Sequence, residues 1–148
     1  MAAIDALAVT KFLPDIELPA GPAGMLIGLR PSMGRTTVLV SVHSSGCDGC
    51  RRYLDELGPS SPEFRDWDAR LLIVVPGGEN AAEQLRPPFG TVLADKDRHV
   101  SSPDDAAVIV ADRYGHIYDL CRAGAGHRLP PPRQLEEWLK FLGTQCPE

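Results

Sequence analysis

Cys47 and Cys50 stand three residues apart in the stretch SSGCDGC (44–50), between the apolar run TTVLVSVH and the charged run RRYLDELG. A close cysteine pair in a reducing compartment points to thiol–disulfide exchange or to metal binding; two ordinary buried thiols are the third reading. Position favours the first. Cys47 lies where an apolar strand ends and a helix begins. Unpaired backbone N–H groups and the positive end of the helix dipole stabilise a thiolate there. The spacing puts both sulfurs in the first turn, within reach of a disulfide. Cys50, Tyr53, Leu54 and Leu57 follow an i, i+3, i+4, i+7 pattern. Cys50 therefore heads the buried stripe, and Cys47 meets solvent at the terminus. On this reading Cys47 is the attacking thiolate and Cys50 resolves the mixed disulfide.

Two neighbours are expected to support the pair. Ser44 is placed to donate to the Cys47 sulfur. Asp48 sets an anion beside Cys47, which opposes the helix-terminus effect and makes the couple more reducing. A structural zinc site usually takes four ligands as two such pairs. Cys121 and Cys146 stand alone, and His43, His99, His116 and His127 show no paired spacing. No metal is expected, and His43, at the strand end, is read as structural. Cys121 is read as a strand cysteine and Cys146 as a free thiol in the tail.

The elements that must hold this pair are legible from pattern. TTVLVSVH (36–43) is β-branched and nearly continuous in apolar residues, as a strand buried on both faces is. RLLIVVP (70–76), TVLAD (91–95) and AAVIVA (106–111) read as further strands, with HIYDLCRAG as the hairpin partner of the last. Helices are expected at about 47–57, 62–68, within 77–86, and at about 133–143, where Leu135, Trp138, Leu139 and Leu142 form an apolar stripe. Gly58 is expected to cap the C-terminus of the first helix, with Pro59 as its stop, and Ser61 to cap the second ahead of Pro62. Residues 1–24 hold at most a short edge strand, and MLIGL another. Strands separated by helices, closed by a hairpin, indicate a mixed sheet with helices on both faces.

Bulk properties bound the function. The chain of 148 residues suits one domain (1–148), with an irregular start at 1–24 and a tail at 144–148. A net charge of −5 argues against a nucleic-acid partner. No apolar run approaches the ~20 residues of a spanning helix, so no membrane partner is expected. The N-terminus lacks a basic region followed by a long apolar one, so no signal peptide is expected and the cytoplasm is the expected compartment.

The sequence resembles the thioredoxin-like superfamily, in its AhpC/TSA group of peroxiredoxins and thiol–disulfide oxidoreductases. VLVSVHSSGCDGCRRYLDEL carries the stronger part of the likeness, and AAVIVADRYGHIYDLCRAG the weaker. The resemblance implies a central mixed sheet flanked by helices, with the pair at the start of the first core helix. It also implies an oxidoreductase cycle without metal or organic cofactor. The substrate would be a disulfide-bearing protein or a small thiol, and the electron donor a dithiol protein or low-molecular-weight thiol. The alternatives are an atypical peroxidase, with Cys47 peroxidatic, and a non-catalytic redox-sensing or binding module. Departures are specific. Gly46 stands where thioredoxins commonly carry Trp, Ser41 where they bury an acid, Asp48-Gly49 where Gly-Pro is common, and Ala106 where the cis-proline would sit. The peroxiredoxin pattern has proline where this chain has Val40, and an activating arginine near Ala106.

Overall fold

The computed structural model describes residues 11–21, 24–30, 34–85, 87, 89–123 and 128–144. Its strands are β1 (Glu17–Ala20), β2 (Met25–Gly28), β3 (Thr36–Ser41), β4 (Ala69–Pro76), β5 (Thr91–Asp95), β6 (Ala107–Ala111) and β7 (Ile117–Arg122). They form one sheet in the order β2-β1-β5-β4-β3-β6-β7. β3 pairs parallel with β4, from Thr36↔Ala69 to Ser41↔Val74, and antiparallel with β6. β4 pairs parallel with β5. Thr37 to Ser41 are accordingly buried on both faces, as the continuous apolar run predicted.

Among the described residues four α-helices complete the fold: α1 (Asp48–Leu57), α2 (Ser61–Asp66), α3 (Glu79–Leu85) and α4 (Pro132–Gly143). None is long and apolar enough to cross a membrane. The mixed α/β class is as expected, but the layering differs. Buried residues of all four helices join one cluster with Val38, Val40, Ile73, Val75, Val92 and Val108. The connections β3→β4 and β4→β5 step across the sheet in the same direction. Right-handed crossovers therefore put α1, α2 and α3 on one face, and α4 packs on β3 and β6 there as well. Among the described residues the other face is closed by non-helical chain. Leu13, Ile16, Leu29 and Val100 pack there on Leu39, Val74 and Ile109.

Local details correct the sequence reading in two places. Gly58 is the C-cap of α1, as expected, with φ −50°, and the chain continues into a 3-10 turn at Gly58–Ser60. Its glycine is explained by packing, because a Cβ would lie 3.2 Å from the Phe89 ring. Ser60 precedes α2, and Ser61 is its first residue. β1 is an inner strand and β2 the edge. β1 tolerates Pro19 because its pairing with β5 is confined to Ala20↔Leu93.

The turn of the β6–β7 hairpin is built by Asp112, whose Oδ1 accepts from Tyr114 N at 2.9 Å and His116 N at 3.0 Å. The β5–β6 crossover, residues 96–106, is anchored by Asp95. This carboxylate is fully buried and accepts from His99 N, Val100 N, Ser101 N and Ser101 Oγ at 2.8–3.0 Å.

Candidate active site

β3 points its C-terminal end at the pair. Val42 N still donates to Val74 O, which extends the ladder one residue beyond the strand. The chain then turns: Cys47 N donates to Ser44 O at 3.3 Å, and Gly46 N to Ser44 Oγ at 3.2 Å. The Ser44 hydroxyl oxygen is thus engaged in shaping the loop. Arg51 Nε donates to Ser45 O at 3.4 Å and ties the loop to α1.

Cys47 is the N-cap of α1, with extended backbone (φ −77°, ψ 116°). Its sulfur accepts from Cys50 N at 3.3 Å. Serine or aspartate oxygens ordinarily satisfy this orphan donor. Here a half-buried sulfur does so, and a thiolate accepts such a bond more strongly than a thiol. Asp48, the first helical residue, is exposed.

Cys50 sits below, 3% exposed, heading the stripe of Tyr53, Leu54 and Leu57, all buried as the spacing predicted. Burial pushes its thiol up to about 11, and Cys47 beside it adds to the rise; backbone groups of His43 and Ser44 pull the other way. Tyr53 closes the next turn, its hydroxyl donating to Pro130 O at 2.7 Å.

His43 is the residue that sequence reasoning left out of the site. Its Nδ1 lies 3.5 Å from Cys50 Sγ, and the donor atoms of His43, Cys47 and Cys50 all lie within 4.8 Å of one another. The available signal was its place at the end of the strand that delivers the pair; regular spacing rules for paired ligands do not cover a strand-to-helix turn. Arg98 was also missed. It arrives from the β5–β6 crossover and donates from Nη2 to His43 O at 3.1 Å, with φ at 52°. Its Nη1 is buried without a hydrogen-bond partner. Nothing in the sequence pattern brings residue 98 to residue 43, since the contact depends on the crossover path.

Other candidates lie elsewhere. Arg122 pairs with Asp105 at 3.2 Å. Cys121 is half-buried, its Sγ 3.9 Å from Arg128 O, and burial together with Asp119 pushes its thiol up. Cys146 and His127 lie outside the described residues. His99 and His116 face Asp97 and Asp112. A cavity of about 840 Å³, lined by Arg35, Ala69 and Thr91, opens at the opposite end of the parallel strands. The template residues that the sequence lacked stay absent in three dimensions. Ser41 is buried with an unpartnered hydroxyl on the face away from α1. Ala106 is buried, its carbonyl accepting from Ala123 N, and no described peptide bond is cis.

No protein-family model matches the sequence, and no curated protein is similar to it by sequence. Solved structures are similar in fold. AhpC of Mycobacterium tuberculosis superposes with a TM-score of 0.72 at 19% identity, over 93% of this chain and 94% of that one. A protein from Chlorobium tepidum assigned as the thiol:disulfide interchange protein DsbE gives 0.70 at 18% identity, over 93% and 98%. A peroxiredoxin-like protein from Aquifex aeolicus gives 0.74 at 13% identity, over 92% and 88%. What the chain shares with all three is a thioredoxin-like α/β fold; in this chain the cysteine pair opens the first helix after the central strand.

Proposed function

We propose that the protein is a thiol–disulfide oxidoreductase acting through Cys47 and Cys50. One observation carries the reading: the half-buried Cys47 sulfur caps the helix and takes the Cys50 N–H, while the second cysteine is buried three residues on. The Cys47 thiolate attacks a disulfide sulfur of the substrate. The substrate S–S bond breaks, one substrate sulfur leaves as thiolate, and a mixed disulfide forms. Cys50 then gives its proton to His43 Nδ1 and attacks Cys47 Sγ. The second substrate sulfur leaves, and the protein holds a Cys47–Cys50 disulfide. A dithiol protein or small thiol returns it to the reduced state. The cycle requires no organic cofactor, and a reducing compartment such as the cytoplasm suits it.

The test is the reduction potential of the couple, measured by equilibration across glutathione ratios with mass readout. A single two-electron transition confined to Cys47 and Cys50 is expected. If no Cys47–Cys50 disulfide forms at any ratio, the reading fails. A peroxidase reading is favoured by Arg98, which brings a cation to the segment just before the pair. Stoichiometric hydrogen peroxide separates the two. Oxidation of Cys47 at the rate of an ordinary thiol removes the peroxidase. If neither substrate turns over while both redox states retain the same partner protein, the pair serves a sensing module.

A further inference from the structure

We infer that the reduced pair and His43 form a binding site for a thiophilic d10 cation, Cu⁺ or Zn²⁺, with Cys47 Sγ, Cys50 Sγ and His43 Nδ1 as its ligands. The three donors come from three backbone features: the segment just after β3, the N-cap of α1, and its first turn. All lie within 4.8 Å of one another. A tetrahedral cation with bonds of about 2.3 Å to sulfur and about 2.05 Å to nitrogen holds those two ligands about 3.5 Å apart. Cys50 Sγ and His43 Nδ1 are 3.5 Å apart already. Two sulfurs on one such ion stand about 3.8 Å apart, a separation within reach of side-chain rotation alone.

The donor set selects the ion. Two thiolates and an imidazole, with no carboxylate among them, suit Cu⁺ and Zn²⁺ and not the hard cations Mg²⁺ and Ca²⁺. Cu⁺ is complete with three such ligands, and Zn²⁺ adds a water. Cys50 is buried whereas Cys47 and His43 are half-exposed, so the open side of the cluster faces solvent and gives both an entry path and a place for that water. The surroundings hold the ligands in place. Cys50 N donates to the Cys47 sulfur, and Arg98 fixes the His43 carbonyl. Such outer contacts commonly change metal affinity by about 10–100-fold. Two thiolate charges offset the cation together with the nearby guanidinium.

Binding and disulfide formation use the same sulfurs, so the site exists only in the reduced protein. A loaded pair cannot attack a disulfide, and oxidation of the pair releases the ion. The inference concerns the reduced state alone and does not depend on turnover, so it can fail or hold independently of the oxidoreductase reading.

The experiment uses the full chain with Cys121→Ser and Cys146→Ser, reduced under argon. It is titrated separately with Zn²⁺ and with Cu⁺ against a chromophoric chelator, and with Co²⁺ for its thiolate charge-transfer and d–d bands. One ion per chain is expected for Cu⁺ or Zn²⁺, lost after oxidation to the disulfide and lost in Cys50→Ser. His43→Ala and His43→Asn should each bind at least about 10-fold more weakly. Both should keep the far-UV circular dichroism and the cooperative melting transition of the parent, which excludes misfolding. Absence of stoichiometric binding of either ion overturns the proposal. Equal affinity in the parent and both His43 variants also overturns it.

Discussion

At the scale of single residues, Cys50 couples the site to pH. Its thiol titrates near 11 in the folded chain against 9.0 when unperturbed, so the folded state holds the proton more tightly. The stabilisation is therefore complete below about pH 9 and is lost as pH rises through about 11. Tyr53 is raised by burial too and acts in the same direction. The melting temperature should fall between about pH 9 and about pH 11, and fall less in Cys50→Ala and in Tyr53→Phe. An equal slope in all three proteins would remove burial of these groups as the cause. The same burial predicts roles. Cys50→Ser should trap a mixed disulfide with a substrate, visible by mass, because Cys47 still attacks and nothing resolves it. Cys47→Ser should trap none. Asp48→Asn should raise the rate of Cys47 alkylation at neutral pH by roughly 2-fold, a small effect because Asp48 is exposed and its field is screened. The cysteine pair and the stripe below it were readable because helical spacing is local. His43 was not, because its approach to Cys50 depends on how the chain turns after β3.

At the scale of elements, the strand-to-helix turn is held from outside by the β5–β6 crossover. Asp95 gathers three backbone N–H groups and one hydroxyl of that crossover, and Arg98 then reaches the His43 carbonyl. Arg98 keeps a left-handed backbone, at a cost of about 1–2 kcal/mol for a side chain of this kind, and the Asp95 anchor over-determines it. Asp95→Asn should cost about 2–4 kcal/mol in urea unfolding, since either amide orientation turns an NH₂ toward backbone donors. Arg98→Ala should cost only about 1 kcal/mol, because a single part-buried hydrogen bond to the His43 carbonyl is lost. Both should speed amide exchange at Ser44–Cys47, the segment that the crossover steadies. Unchanged exchange there in Arg98→Ala would mean that the turn supports itself. Residues 96–105, KDRHVSSPDD, are mostly polar and carry no helix or strand period, so the sequence reads there only as a loop. Its anchoring lies in buried bonds between an aspartate and backbone several residues on, which leave no periodic trace.

At the scale of the whole molecule, the two faces of the sheet are closed by different means, and this sets what each can affect. The order of strands and helices was legible because the continuous apolar runs of β3 and β4 and the stripes of period 3.6 in α1 and α4 are strong. The sidedness of the helices was not, since it follows from strand order, and strand order is fixed by long-range pairing. With all four helices on the α1 face, the opposite face relies on Leu13, entering through the bridge between Phe12 and His116, and on Val100, in the crossover. Both side chains are fully buried. Leu13→Ala should cost about 2–5 kcal/mol through the cavity it leaves. Val100→Ala should cost about 2 kcal/mol, with two methylene equivalents removed. Their consequences for the site should diverge. Leu13 packs beside the hairpin turn, where Leu13 N donates to Gly115 O, and among the described residues no backbone hydrogen bond ties it to the crossover. Val100 N is bound by Asp95, two residues from Arg98. Leu13→Ala should therefore lower the melting temperature while leaving the Cys47 alkylation rate and the Cys47–Cys50 potential at parent values. Val100→Ala, although the smaller stability loss, should shift both. If the two variants perturb the site in proportion to their loss of stability, the crossover holds no privileged connection to the pair, and the second face acts on it only through global stability.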